Sequence, residues 1–199
     1  MPGNNDRRVR RTRAALREAL MELMTEKGYD AVTVQDLIDR ADVGRSTFYA
    51  HYTDKADLLD ELLTELRGML VPSASTDAPD RRRPLRFSLE MFRHVSDQRV
   101  LLLGLIGPTG TSPVVAQIER MLTDVVRGEL DGLVEPGTTP RAPLDLVASS
   151  VVASYLAALR WWVDTEFTRT PEQMDAIFSA IVAPGVRAVL APLLPRTAN

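Results

Sequence analysis

Seven consecutive residues, Arg45 to His51, carry Arg45, Ser46, Thr47, Tyr49 and His51, hydrogen-bonding side chains packed too closely to serve a buried core. Such a set reads hydrogen-bonding edges on a partner. Arginine in particular can present two parallel donors, the geometry that matches guanine O6 and N7 in a DNA major groove. Phe48 and Tyr52, four apart, supply the opposite, inward face. Ten residues after Arg45 comes Lys55, at the positively polarised start of a helix. A cation gains nothing from that position within the helix, so the placement points to an anion such as phosphate.

The elements that must hold these groups are legible around them. Thr33 precedes an apolar-periodic run and Asp36 stands three residues on, the reciprocal capping pattern of a helix start. Val34, Leu37, Ile38 and Ala41 give that short helix one apolar face. Asp42-Val43-Gly44 then reads as a turn, because Asp and Gly tolerate left-handed backbone and Val43 can plug the angle between helices. A second short helix, about Arg45 to His51, follows. Asp54 caps a third and longer one, with Asp57 at its third position. The arrangement is a helix-turn-helix, in which the second helix lies in the major groove with its N-terminal residues at base edges. Gly44, Arg45, Ser46 and Thr47 are the base-facing candidates.

This array resembles the N-terminal domain of the TetR family of bacterial transcriptional regulators. The resemblance is carried by Thr33, by the run Tyr49-Ala50-His51-Tyr52 and by Lys55, in that order, and it spans about residues 10 to 60. It implies that Thr33, Tyr49, His51 and Lys55 contact backbone phosphate. Where the family commonly has Ala-Gly-Val-Ser at the turn, this chain has Ala41-Asp42-Val43-Gly44, adding an acid and removing a hydroxyl. The resemblance also implies a C-terminal domain that binds a small molecule and dimerises through its last two long helices.

The bulk composition sets limits. The chain has 199 residues, 45% of them hydrophobic, and a net charge of −3 that does not look like a nucleic-acid binder. The charge is unevenly spread: Arg7, Arg8, Arg10, Arg11, Arg13 and Arg17 face only Asp6 in the first 17 residues, a local excess of five positive charges. A basic N-terminal arm of this kind, with Arg7, Arg8, Arg10 and Arg11 foremost, can follow phosphates and add salt-dependent affinity. There is no cysteine, hence no disulfide or thiolate zinc site. With no signal-peptide core and no long uncharged apolar segment, the expectation is a soluble, cytoplasmic protein without a membrane partner.

Beyond Asp54 the pattern stays helical. A proline-rich loop is expected over residues 72–84, a short helix from Leu85 to Val95, and a buried helix at the apolar run Val100 to Ile106. Ser112-Pro113 opens another helix, and Leu144 to Asp164 is the longest apolar one. Stepping 100° per residue gives that helix two stripes: Leu144, Val147, Ala148, Val151, Tyr155, Leu159 and Trp162 on one, Ser150, Ser154, Ala157 and Trp161 on the other. Thr170-Pro171-Glu172-Gln173 caps the last helix, which Pro184-Gly185 is expected to kink or interrupt.

Phe87, Met91, Phe92, Met121, Tyr155, Trp161 and Trp162 are candidate walls of an apolar cavity for that implied ligand. The same side chains serve equally as plain core. With His51 and His94 the only histidines, no nucleophile elbow and no phosphate loop, neither an enzyme nor a metal or cofactor site is expected. The expected architecture is all-α with about nine helices: residues 1–53 form a DNA-binding domain, residues 54–199 a helical bundle for ligand binding and dimerisation. The expected function is a homodimeric repressor, released from a roughly palindromic operator in double-stranded DNA by a small, largely apolar inducer. The alternative is a DNA-binding dimer without an inducer, its C-terminal domain serving dimerisation or protein contact.

Overall fold

The computed structural model describes residues 4–71, 84–99 and 113–191. Among them are eight α-helices and one 3-10 turn: α1 (Asn4–Lys27), the turn Tyr29–Ala31, α2 (Val34–Arg40), α3 (Arg45–Tyr49), α4 (Lys55–Leu70), α5 (Phe87–Asp97), α6 (Pro113–Leu133), α7 (Leu144–Asp164) and α8 (Pro171–Leu190). The all-α expectation holds. Of the sequence expectations, the interior of the proline-rich loop with Arg81, Arg82 and Arg83, the run Val100 to Ile106 and the Ser112 cap lie outside the described residues.

The chain divides into two compact units, Met1–Leu66 with Gln98–Ile118, and Arg67–Asp97 with Glu119–Asn199. In the first, α1 turns its 3.6-period stripe of Leu16, Ala19, Leu20, Leu23 and Met24 onto α2, where Leu37 and Ile38 meet it. Gly28 ends α1: its φ of 76° suits glycine, and its N–H still reaches the Met24 carbonyl at 3.0 Å. Phe48 from α3 and Leu58 from α4 close the core, both fully buried. Truncating one such leucine, as in Leu37→Ala, costs about 2–5 kcal/mol, enough to threaten so small a core.

In the second unit α8 packs on both α5 and α7. Of the two stripes on α7, Val147, Ala148, Val151, Tyr155, Leu159 and Trp162 are buried, whereas Trp161 is 47% exposed. One helical step of 100° separates the two tryptophans, so only one can face the core. The Thr170 cap forms as expected, with Gln173 N–H reaching Thr170 Oγ1 at 3.3 Å and Thr170 N–H reaching Gln173 Oε1 at 3.0 Å. Of the two outcomes expected at Pro184, a kink or an interruption, the interruption does not occur: α8 runs through it to Leu190. Pro184 and Ala180, whose carbonyl loses its partner there, are both exposed, so water can take the missing donor's place.

Candidate nucleic-acid interface

The turn between α2 and α3 is built on one left-handed residue. Asp42 has φ 49°, and Val43 N–H returns to the Ile38 carbonyl at 3.1 Å. Gly44, expected to share the left-handed role, is extended at φ −72° and caps α3 with its backbone alone; its carbonyl accepts from Thr47 and Phe48 N–H at 2.9 and 3.0 Å. Phe48 anchors α3 inward, edge-on to Tyr49 and tilted against Tyr52. Because a five-residue helix has little more than one inward position, Arg45, Ser46 and Tyr49 are left exposed and Thr47 and His51 half-buried. The Arg45 guanidinium lies 5.9 Å from the Tyr49 ring centroid, a contact that orders the arginine along the exposed side.

Thr33 sits at the exposed entrance of α2 in a complete capping box: its N–H donates to Asp36 Oδ2 at 2.7 Å, and its Oγ1 accepts from Asp36 N–H at 3.2 Å. Lys27 Nζ stands 2.7 Å from the same Asp36 oxygen. With the Lys27 ammonium first and the Thr33 hydroxyl and N–H next, this carboxyl is held well below its usual range. It stays ionised, as the cap requires.

The N-terminal arginines separate into two sets, which composition could not foresee. Arg13 and Arg17 are spent inside the protein: Arg13 Nη2 lies 2.5 Å from Glu61 Oε2, and Arg17 pairs with Glu61 and Glu65 on α4. Tyr52 Oη donates to Glu61 Oε2 at 2.8 Å, so one carboxylate joins α1, the segment after α3 and α4. This hub escaped the sequence reading. Its trace was there, in two arginines and two glutamates each four apart. Arg7, Arg8, Arg10 and Arg11 are exposed and make no ion pair among the described residues. They lie on α1, and at 3.6 residues per turn they occupy one arc of about 160°. Lys55, expected to face phosphate, donates to the carbonyl oxygens of Tyr29, Asp30 and Val32.

In the second unit, Phe87, Phe92, Tyr155 and Phe178 pack edge-on or tilted against one another, with centroids 4.7 to 6.2 Å apart, and Trp162 joins edge-on through Phe92. Met91 and Met121 are also buried. Two polar features, not singled out in the sequence, accompany this cluster. Ser88 Oγ lies 2.5 Å from Asp175 Oδ1, a buried bridge between α5 and α8. Glu129 Oε1 accepts from the Phe87 N–H at 3.1 Å, tying α6 to the start of α5. Burial pushes the Glu129 carboxyl from its ordinary 4.5 up to about 7. Tyr155 Oη is buried with no hydrogen-bond partner among the described residues, and burial raises its pKa well above the ordinary value. A cleft of about 720 Å³ is formed by Arg127, Asp131 and residues 134–144, and none of these aromatic side chains lines it. His94 is half-buried, and burial lowers its pKa. Among the described residues no group of His, Cys, Asp or Glu could hold a metal ion.

Comparison with known proteins fits this geometry. Residues 16–62 match the family described as "Bacterial regulatory proteins, tetR family", and residues 83–183 match its companion "Transcriptional regulator C-terminal region". The second match alone spans half the chain. The chain belongs to the TetR family. It is a DNA-binding transcriptional regulator and not an enzyme.

Among TetR-family relatives, the chain is 24% identical to the "HTH-type transcriptional repressor KstR2" of Mycobacterium tuberculosis over 192 residues, 89% of this chain and 94% of that one. It is 41% identical over 59 residues to an uncharacterized HTH-type regulator of Bacillus subtilis, YxbF, of which it covers only 16%. The crystal structure of a TetR regulator from Streptococcus agalactiae shares the fold, with a TM-score of 0.65 and 24% identity over 89% of this chain and 97% of that one. The N-terminal TetR match takes in the buried half of α1, the helix-turn-helix and the α4 residues Leu58 and Leu59 that complete its core.

Proposed function

We propose that this TetR-family chain is a repressor that binds a roughly palindromic operator as a homodimer, with residues 1–53 reading DNA and residues 54–199 governing the dimer. The observation that carries the reading is α3: pinned by buried Phe48, it holds Arg45, Ser46 and Tyr49 outward on a short, rigid element. In this reading Arg45, Ser46 and Thr47 meet base edges, and Gly44, lacking a side chain, allows close approach. Thr33, Tyr49 and His51 hold phosphates, while Arg7, Arg8, Arg10 and Arg11 add sequence-independent attraction.

Dimerisation is assigned to α7 and α8. Leu146, Trp161, Ile177 and Ile181 are exposed on them at 61, 47, 37 and 72%, beside the small residues Ser149, Ala153, Ala157 and Ala180. Both helices are long and apolar enough to cross a membrane by length and composition. Their exposed faces are met more simply by the same faces of a second copy, and the match to a repressor of similar length supports a cytoplasmic location. Two reading helices would then meet successive major grooves about 34–36 Å apart, or a longer spacing.

An inducer is assigned to the aromatic cluster of Phe87, Met91, Phe92, Met121, Tyr155 and Trp162, with the Tyr155 hydroxyl, unpartnered among the described residues, as its polar anchor. Trp161, on the exposed face, belongs with the dimer contact. A second reading, dimerisation without an inducer, is favoured by the close edge-on and tilted packing of those rings. The test is a gel shift on a duplex selected from a random-sequence pool, followed by calorimetric screening of small apolar phenols and acids. Sequence-selective binding at two chains per duplex is expected. Equal affinity for every duplex, or binding as a monomer, overturns the reading.

A further inference from the structure

Lys55 opens α4, where the unpaired N–H groups of the first turn repel a cation. Its side chain finds oxygen elsewhere. Nζ donates to the carbonyls of Tyr29 at 2.9 Å, Asp30 at 3.2 Å and Val32 at 2.8 Å. The Tyr29 ring centroid is 4.5 Å from the same nitrogen. An ammonium has three hydrogens to donate, so the three carbonyls account for all of them. A phosphate could be reached only by giving up this set.

The three carbonyls belong to the 3-10 turn and its exit, directly before the Thr33 cap of α2. On the other side of the contact Asp54 fixes the start of α4, its Oδ1 accepting from Ala56 and Asp57 N–H at 2.8 and 2.9 Å. Everything between, namely α2, the Asp42 turn and α3, is therefore a loop of chain closed by one side chain across 23 residues. Closing a loop removes backbone freedom from its contents. Here the contents are the reading helices.

We propose that Lys55 is a positioning residue: it holds the entrance of α2 against the start of α4 and so fixes the angle at which α3 is presented, and it keeps its carbonyl partners when DNA is bound. The first part stands on the free protein alone. The second rests on the DNA-binding function of the chain.

The chain has two lysines, Lys27 and Lys55, so ¹⁵N-lysine labelling of the full-length protein gives two ammonium signals, told apart by Lys27→Arg. The probe is a duplex selected by the wild-type protein from a random pool. Expected in the free protein is a Lys55 ammonium signal protected from water exchange, unchanged when the duplex is added. Rapid exchange in the free protein, or a shift with coupling to phosphorus on adding DNA, overturns the proposal. Salt titration of variants gives a second reading that a purely structural residue would not move. Lys55→Met is expected to lower affinity for the selected duplex by about tenfold while random duplex is held nearly as before, with the salt slope retained; loss of a phosphate contact would flatten that slope by about 0.9. Lys55→Arg keeps the charge, but its planar fork cannot place donors on three carbonyls around one point. It is expected to behave like Lys55→Met, and wild-type affinity in Lys55→Arg counts against the proposal. Should Lys55→Met not fold, the ammonium signals of the wild type decide. A wild type that selects no duplex refutes the DNA reading, while the free-protein signal still reports on the tether.

Discussion

Tyr52 donates its hydroxyl to Glu61 Oε2 at 2.8 Å, and through that one bond the segment three residues beyond α3 is joined to the second turn of α4. The ring itself is buried against Phe48. Tyr52→Phe keeps the packing and removes the bond. It is expected to lower stability by about 1–2 kcal/mol, because the acceptor it leaves is charged and largely shielded. Urea unfolding of the full chain measures this, and a midpoint unchanged from wild type would deny the hub any part in stability.

The turn at Asp42 makes a prediction that separates two substitutions. At φ 49° a β-branched residue is strained, so Asp42→Val is expected to cost about 1–2 kcal/mol. Asp42→Gly adopts the angle freely and should come close to wild type. Thermal melts of the two variants side by side separate backbone strain from loss of the carboxylate, since both remove the acid and only one strains the turn.

Arg45 and Arg10 are expected to fail differently. Arg45→Ala should lose about 1–3 kcal/mol on the selected duplex and relax the preference at the bases it reads. Arg10→Ala should weaken all duplexes alike and reduce the salt slope by about 0.9. Binding titrations of both variants on selected and random duplexes, at several salt concentrations, decide it. Equal losses on both duplexes for Arg45→Ala would remove it from the base-reading set.

Glu129 gives a pH dependence with a definite direction. Its carboxyl titrates at about 7 when folded against an ordinary 4.5, so the folded state holds its proton more tightly. Between those two values the unfolded chain ionises first, and stability falls as pH rises; above 7 the loss is complete, on the order of 3 kcal/mol. Glu129→Gln keeps an acceptor for the Phe87 N–H but cannot ionise. Its unfolding free energy, followed from pH 4.5 to 8, should lack that decline. A decline equal to that of wild type would assign the dependence to another group.

Features that the sequence made legible are those decided within a few residues. Thr33 with Asp36 and Thr170 with Gln173 are three apart, so each cap is complete in its own turn of chain. The two stripes of α7 are likewise a matter of period, and the helix ends at Leu144 and Asp164 as the pattern required. What escaped was settled by distant partners. Arg13 and Arg17 count as free charge until α4 brings Glu61 and Glu65 to them, 44 to 48 residues away. Asp175 lies between Met174 and Phe178 on an apolar face, and only the packing of α5, 87 residues earlier, supplies Ser88 as its reason. Pro184 leaves its helix uninterrupted for a related cause: local chemistry forbids one hydrogen bond there, but whether that breaks a helix depends on what else surrounds the freed carbonyl.

The four arginines at the start of α1, unpaired among the described residues, oppose the helix that carries them. Arg7 lies three and four residues from Arg10 and Arg11, and Arg8 three from Arg11, so like charges are neighbours along the surface, each pair costing a few tenths of a kcal/mol. Arg7, in the first turn, also stands at the positive pole of the helix. Screening or binding of anions relieves both burdens. Added salt should therefore tighten this end of the chain even as it loosens any grip on DNA, and a polyanion laid against it would stiffen the helix that meets it.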